Sequence, residues 1–102
     1  MKQVSFNEVN QMKINGDKIL IEFFSAGCGP CLQLLPILES IESDFPTITF
    51  VKVDSNSDIL ESARFGVRTI PTVLILDGEN VVSKTTGINS GAFYRDILNG
   101  LQ

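Results

Sequence analysis

Lys18-Ile-Leu-Ile-Glu-Phe-Phe-Ser-Ala-Gly-Cys-Gly-Pro-Cys31 contains the change of pattern that decides the fold of this chain. Residues 18–24 are almost continuously apolar, too short for a helix of their own, and rich in β-branched and aromatic side chains. They predict a strand buried on both faces. Small residues break the run at 25–27, and residues 28–44 then carry a helical pattern with Leu34, Leu35, Leu38 and Ile41 on one apolar face. Pro36 lies inside that helix and predicts a kink, because it removes a backbone donor and crowds the preceding turn. Phe45-Pro46 closes the segment, and Ile48–Val53 is a second buried strand. Residues 18–53 therefore read as a βαβ unit with parallel strands.

The flanks extend the same architecture. Val4-Ser-Phe-Asn-Glu-Val9 opens a helix with a capping box between Ser5 and Glu8 and a staple between Val4 and Val9, and Gly16 ends it. A short helix is expected at 57–65, ended by Gly66. Thr72–Leu76, the Asp77-Gly78 turn and Val81–Thr85 read as a β-hairpin. Ser90 caps a last helix whose Phe93, Ile97, Leu98 and Leu101 share one face. No repeat, low-complexity tract or linker is visible, so residues 1–102 are read as one α/β domain.

The composition works by exclusion. The chain has 102 residues, a formal charge of −4, two cysteines and no histidine. The absence of histidine removes Ser–His–Asp and Cys–His nucleophile arrangements and histidine-ligated zinc. Two cysteines cannot complete a four-cysteine metal site within one chain, so no metal is expected. The eight Lys and Arg residues form no run, which argues against nucleic acid as a partner. No stretch is long and apolar enough for a signal peptide or a membrane span, and a cytoplasmic location is the default expectation. A structural disulfide is out of place in that reducing compartment.

Chemistry must then rest on Cys28, Cys31 and carboxylates. Residues three apart lie one above the other on a first helical turn, close enough for the two sulfurs to bond. Unpaired N–H groups and the positive end of the helix dipole favour a thiolate on Cys28, while Cys31, one turn inside, is the shielded partner. Pro30 fits a first turn, where a missing N–H costs nothing, and Gly29 lets another backbone approach. The arrangement suits dithiol–disulfide exchange, with Cys28 as nucleophile and Cys31 resolving the mixed disulfide. The competing readings are half of a metal site or a structural bridge, and a loop this short gives a bridge little stabilising effect. Glu22 interrupts the buried strand on the face of Leu20 and Phe24. A carboxyl forced into apolar surroundings resists ionisation and becomes suited to proton transfer, here from Cys31. The other reading of Glu22 is a strand end that reaches water. Taken alone, Ile70-Pro71 reads as a trans bond before a strand and Gly87 as an ordinary turn glycine.

Together Ile19–Cys31 with its Cys-Gly-Pro-Cys, Phe50-Val-Lys-Val-Asp54, Phe65-Gly-Val-Arg-Thr-Ile-Pro-Thr-Val73 and Asp77-Gly78 through Gly87 resemble thioredoxin over essentially the whole chain. The resemblance implies a mixed sheet flanked by four helices, with the final hairpin antiparallel to the central strands. It implies a cis Ile70–Pro71 bond facing the cysteines, and a substrate-binding groove formed by Thr69, Ile70, Pro71 and Gly87. It also implies no cofactor beyond the redox-active disulfide, protein disulfides as substrates, a reductase-type electron donor and a monomer.

Four positions depart from the family pattern. Gly27 stands where a tryptophan is typical, Glu22 replaces a buried aspartate, and Leu32 replaces a frequent basic residue. Phe50 occupies a position that in some members holds a lysine partnering the carboxylate, so Glu22 is expected to lack a nearby cation and to protonate readily. Gly27 and Leu32 both alter the rim, which raises the alternative of a partner-binding module whose redox activity is incidental. The leading expectation is a cytoplasmic protein-disulfide reductant.

Overall fold

A computed structural model describes residues 1–102. Nine elements follow one another: β1 (Lys2–Gln3), α1 (Phe6–Ile14), β2 (Lys18–Phe24), α2 (Gly29–Glu42), β3 (Thr49–Asp54), α3 (Ile59–Arg64), β4 (Thr72–Asp77), β5 (Asn80–Thr86) and α4 (Gly91–Asn99). They form a five-stranded sheet in the order β1-β3-β2-β4-β5. Strand β3 runs parallel to β1 and β2, whereas β4 is antiparallel to both β2 and β5. The mixed sheet flanked by four helices is that of the thioredoxin fold.

Period-two alternation along the central strands divides the core in two. Leu20, Phe50, Val73 and Ile75 face Leu34, Leu38 and Ile41 of α2 and Tyr94 and Leu98 of α4. Ile19, Ile21, Phe23, Val51, Val53, Leu74 and Leu76 face Phe6 and Val9 of α1, with Phe65 and Val67 packed at the edge. Strand β2 is therefore covered on both sides, which explains its unbroken apolar sequence. Its one charged interior residue, Glu22, points to the α2 side with Leu20.

Local signals set the helix starts. Ser5 Oγ accepts from Glu8 N at 3.1 Å and Ser90 Oγ from Phe93 N at 3.1 Å, so both expected caps form. The glutamate half of the expected capping box is not made. Helix α2 runs through Pro36 as one continuous element. Packing of Leu34, Leu38 and Ile41 against the sheet outweighs the lost backbone bond. The buried aromatic of α4 is Tyr94 rather than Phe93, whose exposure is 38%; Tyr94, Leu98 and Leu101 join the core, and Ile97 packs against it. Strand β1 has no counterpart in the sequence reading: two exposed residues carry no hydrophobic pattern, and pairing with β3 alone defines them.

Candidate active site

Strand β2 ends at Phe24, and the chain crosses Ser25–Gly27 to reach Cys28, which caps α2. Gly27 makes the bend with φ +78°, a left-handed conformation that a side chain disfavours. Cys28 and Cys31 are joined by a disulfide, with their Cα atoms 5.3 Å apart. Cys28 Sγ accepts from Cys31 N at 3.2 Å, so the first sulfur occupies the place of a capping oxygen at the helix N-terminus. Cys28 is half-buried and Cys31 is buried, the asymmetry expected of an attacking and a shielded sulfur. Gly29 and Pro30 occupy the exposed first turn.

Glu22 is 1% exposed, which rules out a strand end reaching water. Its Oε2 is buried without a hydrogen-bond partner. A cavity of about 140 Å³ joins it to the cysteines, lined among others by Glu22, Gly27, Cys28, Cys31, Leu32 and Lys52. Desolvation raises the Glu22 carboxyl from 4.5 to about 7; the Lys52 charge opposes that rise and the Glu39 charge adds to it.

The nearby cation corrects one expectation. Phe50 is buried in the core, yet Glu22 does not lack a positive neighbour. In the parallel register Glu22 is the partner of Lys52, so both side chains leave the sheet on one face. The ammonium lies 5.4 Å from the centre of the Phe24 ring. Counting by twos along β2 and β3 from a common register could have found Lys52 in the sequence. Desolvation still prevails, so the carboxyl protonates readily despite the cation.

The remaining expected residues lie at the neighbouring strand end. Ile70–Pro71 is a cis peptide bond, as the family resemblance implied and the local reading did not. Thr72, the first residue of β4, is registered against Phe23, which brings this loop to the end of β2 that leads to Cys28. Gly87, at φ +75°, donates from its N–H to Pro71 O at 3.0 Å. Thr69 O accepts from the Thr72 hydroxyl at 2.6 Å. Neither the N–H nor the C=O of Ile70 takes part in a turn or loop hydrogen bond.

Two cysteines at a helix N-terminus on this mixed sheet define a thiol–disulfide oxidoreductase. The thioredoxin family model matches residues 1–99. The chain is 33% identical over 88 residues to a thioredoxin of Chlamydia trachomatis, covering 86% of each chain. It is 37% identical over 78 residues to Thioredoxin 2 of Chlorobaculum tepidum, covering 72% of this chain and 70% of the relative. In structure it is similar to Fasciola hepatica thioredoxin, with a TM-score of 0.85, 24% identity and full coverage of both chains. The chain belongs to the thioredoxin family. Its redox-active disulfide is part of the protein itself, and the family's partners are disulfide-bearing proteins and a reductase that supplies electrons. No cluster of three or more His, Cys, Asp or Glu residues could hold a metal ion, and no helix is long and apolar enough to cross a membrane.

Proposed function

We propose that this protein reduces disulfides of other proteins, with Cys28 as nucleophile, Cys31 as resolving thiol and Glu22 as proton acceptor. The observation that carries the reading is that Glu22, buried and with one carboxylate oxygen unpartnered, lines the same cavity as both cysteines. In the dithiol form, the Cys28 thiolate attacks one sulfur of the substrate disulfide. The substrate S–S bond breaks, one substrate thiolate leaves, and a Cys28–substrate disulfide forms. Cys31 then gives its proton to the Glu22 carboxylate and attacks the Cys28 sulfur. The second substrate thiolate departs and the Cys28–Cys31 bond forms. Two electrons pass to the substrate, and an external dithiol or reductase returns two to the protein.

A carboxyl near 7 is matched to that step, because both protonation states are populated near neutrality. Gly29-Pro30 places no cation between the sulfurs, which favours a reductant over a strong oxidant. The unpaired Ile70 backbone groups offer a donor and an acceptor to an extended substrate segment. A reducing cytoplasm suits this direction of flow. In the Cys31→Ser variant, mixed disulfides with substrate proteins should accumulate, and peptide mass mapping should place every link on Cys28. Recovery of no Cys28-linked protein under oxidative load overturns the reading.

A further inference from the structure

A second cleft, of about 330 Å³, has Ser25, Ser55, Ile59, Arg68, Thr69 and Ile70 among its walls. Ser25 lines both spaces, so the cleft continues the disulfide site rather than standing apart from it. Arg68 is exposed, and its guanidinium takes part in no hydrogen bond or ion pair, unlike Arg64, held by Glu61 at 2.7 Å, and Arg95, held by Asp44 at 2.7 Å. An unpaired guanidinium beside hydroxyl groups is a good receptor for a carboxylate, because its fork of donors matches the two oxygens. The chain carries a formal charge of −4, so a local cation in the wall of this cleft runs against the general repulsion of acidic partners.

We propose that this cleft is a subsite for an acidic side chain close to the disulfide of the substrate protein. Arg68 holds the carboxylate, and Ile59, 67% exposed, gives an apolar wall to its methylene stem. Reach sets the position. Arg68 is two residues from Ile70, so the substrate residue it meets is a near neighbour of the one that pairs with Ile70. The subsite rests on the exchange reading above and adds substrate selection to it.

Pairs of disulfide peptides identical except for Glu or Gln, with that residue moved through each position within about three residues of the reacting cysteine, test the subsite. The reduced protein and its Arg68→Gln and Arg68→Glu variants are compared by kcat/KM on each peptide. A small uncharged disulfide, hydroxyethyl disulfide, serves as a common reference. Wild type should prefer the Glu peptide by about three- to fivefold at low salt, the preference shrinking as salt rises. Arg68→Gln should remove the preference, and Arg68→Glu should reverse it. Unchanged rates on hydroxyethyl disulfide establish that folding and exchange are intact in the variants. If Arg68→Gln keeps the wild-type Glu-to-Gln ratio, the subsite is refuted while the exchange chemistry stands. If every form, wild type included, is inert towards hydroxyethyl disulfide, the exchange reading itself has failed.

Discussion

Replacing Glu22 by Gln should make the oxidised protein more stable at alkaline pH and leave it little changed in acid. Glutamine keeps the shape of the side chain and removes the charge. In the folded protein the Glu22 carboxyl titrates at about 7 instead of 4.5, because burial disfavours the anion. A group whose pKa is raised by folding binds its proton more tightly in the native state. Its contribution is fully present below about 4.5 and is lost as pH rises through about 7. At about 1.4 kcal/mol per pH unit of displacement, the complete loss is on the order of 3 kcal/mol. That is a large part of the total stability of a domain this size. Equilibrium denaturation of the oxidised wild type and Glu22→Gln in urea, from pH 4 to 9, reads the difference directly. The variant should gain on wild type steadily between about pH 4.5 and 7, with the gap flat above about pH 8. Parallel stability curves across that range refute the placement of an unpaired carboxylate in the core.

Two further perturbations act on the same site. Lys52→Met removes the charge that holds the Glu22 carboxyl down, so its NMR titration midpoint should move above the wild-type value, whereas Lys52→Arg should leave it in place; equal midpoints in Lys52→Met and wild type contradict the electrostatic coupling. Gly27→Ala places a side chain on a residue with φ +78° but in open space, so it should cost about 1 kcal/mol in urea denaturation through backbone conformation alone. Loss of several times that would mean that the added methyl meets the protein.

The parts of the fold legible in the sequence are those where one physical rule dominates. Strand β2 was readable end to end because a strand covered on both faces must be apolar throughout. Ser5, Cys28 and Ser90 mark helix starts because orphan N–H groups need an acceptor. The parallel pairing of β2 and β3 followed from the crossover helix between them. Strand β1 was illegible because its two residues are defined by a partner far along the chain, not by any pattern of their own. The choice of Tyr94 over Phe93 as the core aromatic turns on the phase of α4, and a shift of one residue rotates a side chain by about 100°.

The active site divides in the same way. Cys28 and Cys31 declare themselves through spacing and a helix start. Glu22 stood out as a charge in an apolar strand, but only the structure decided for burial over a strand end that reaches water. Lys52 did not, because its neighbour Glu22 is thirty residues earlier and only the sheet register brings them side by side. The cis geometry before Pro71 was accessible only through family resemblance, since nothing in the local residues distinguishes it from a trans bond. Arg68 gave no signal either. An arginine that has no partner can be recognised only after the partners of the others are known.

In this mechanism the Cys28 sulfur begins the exchange. Dithiothreitol-coupled reduction of a protein disulfide, followed for wild type and Cys28→Ser at equal concentration, tests it most directly. Wild type should accelerate the reaction well above dithiothreitol alone, and Cys28→Ser should fall to the uncatalysed rate. Equal rates for the two proteins would contradict the account.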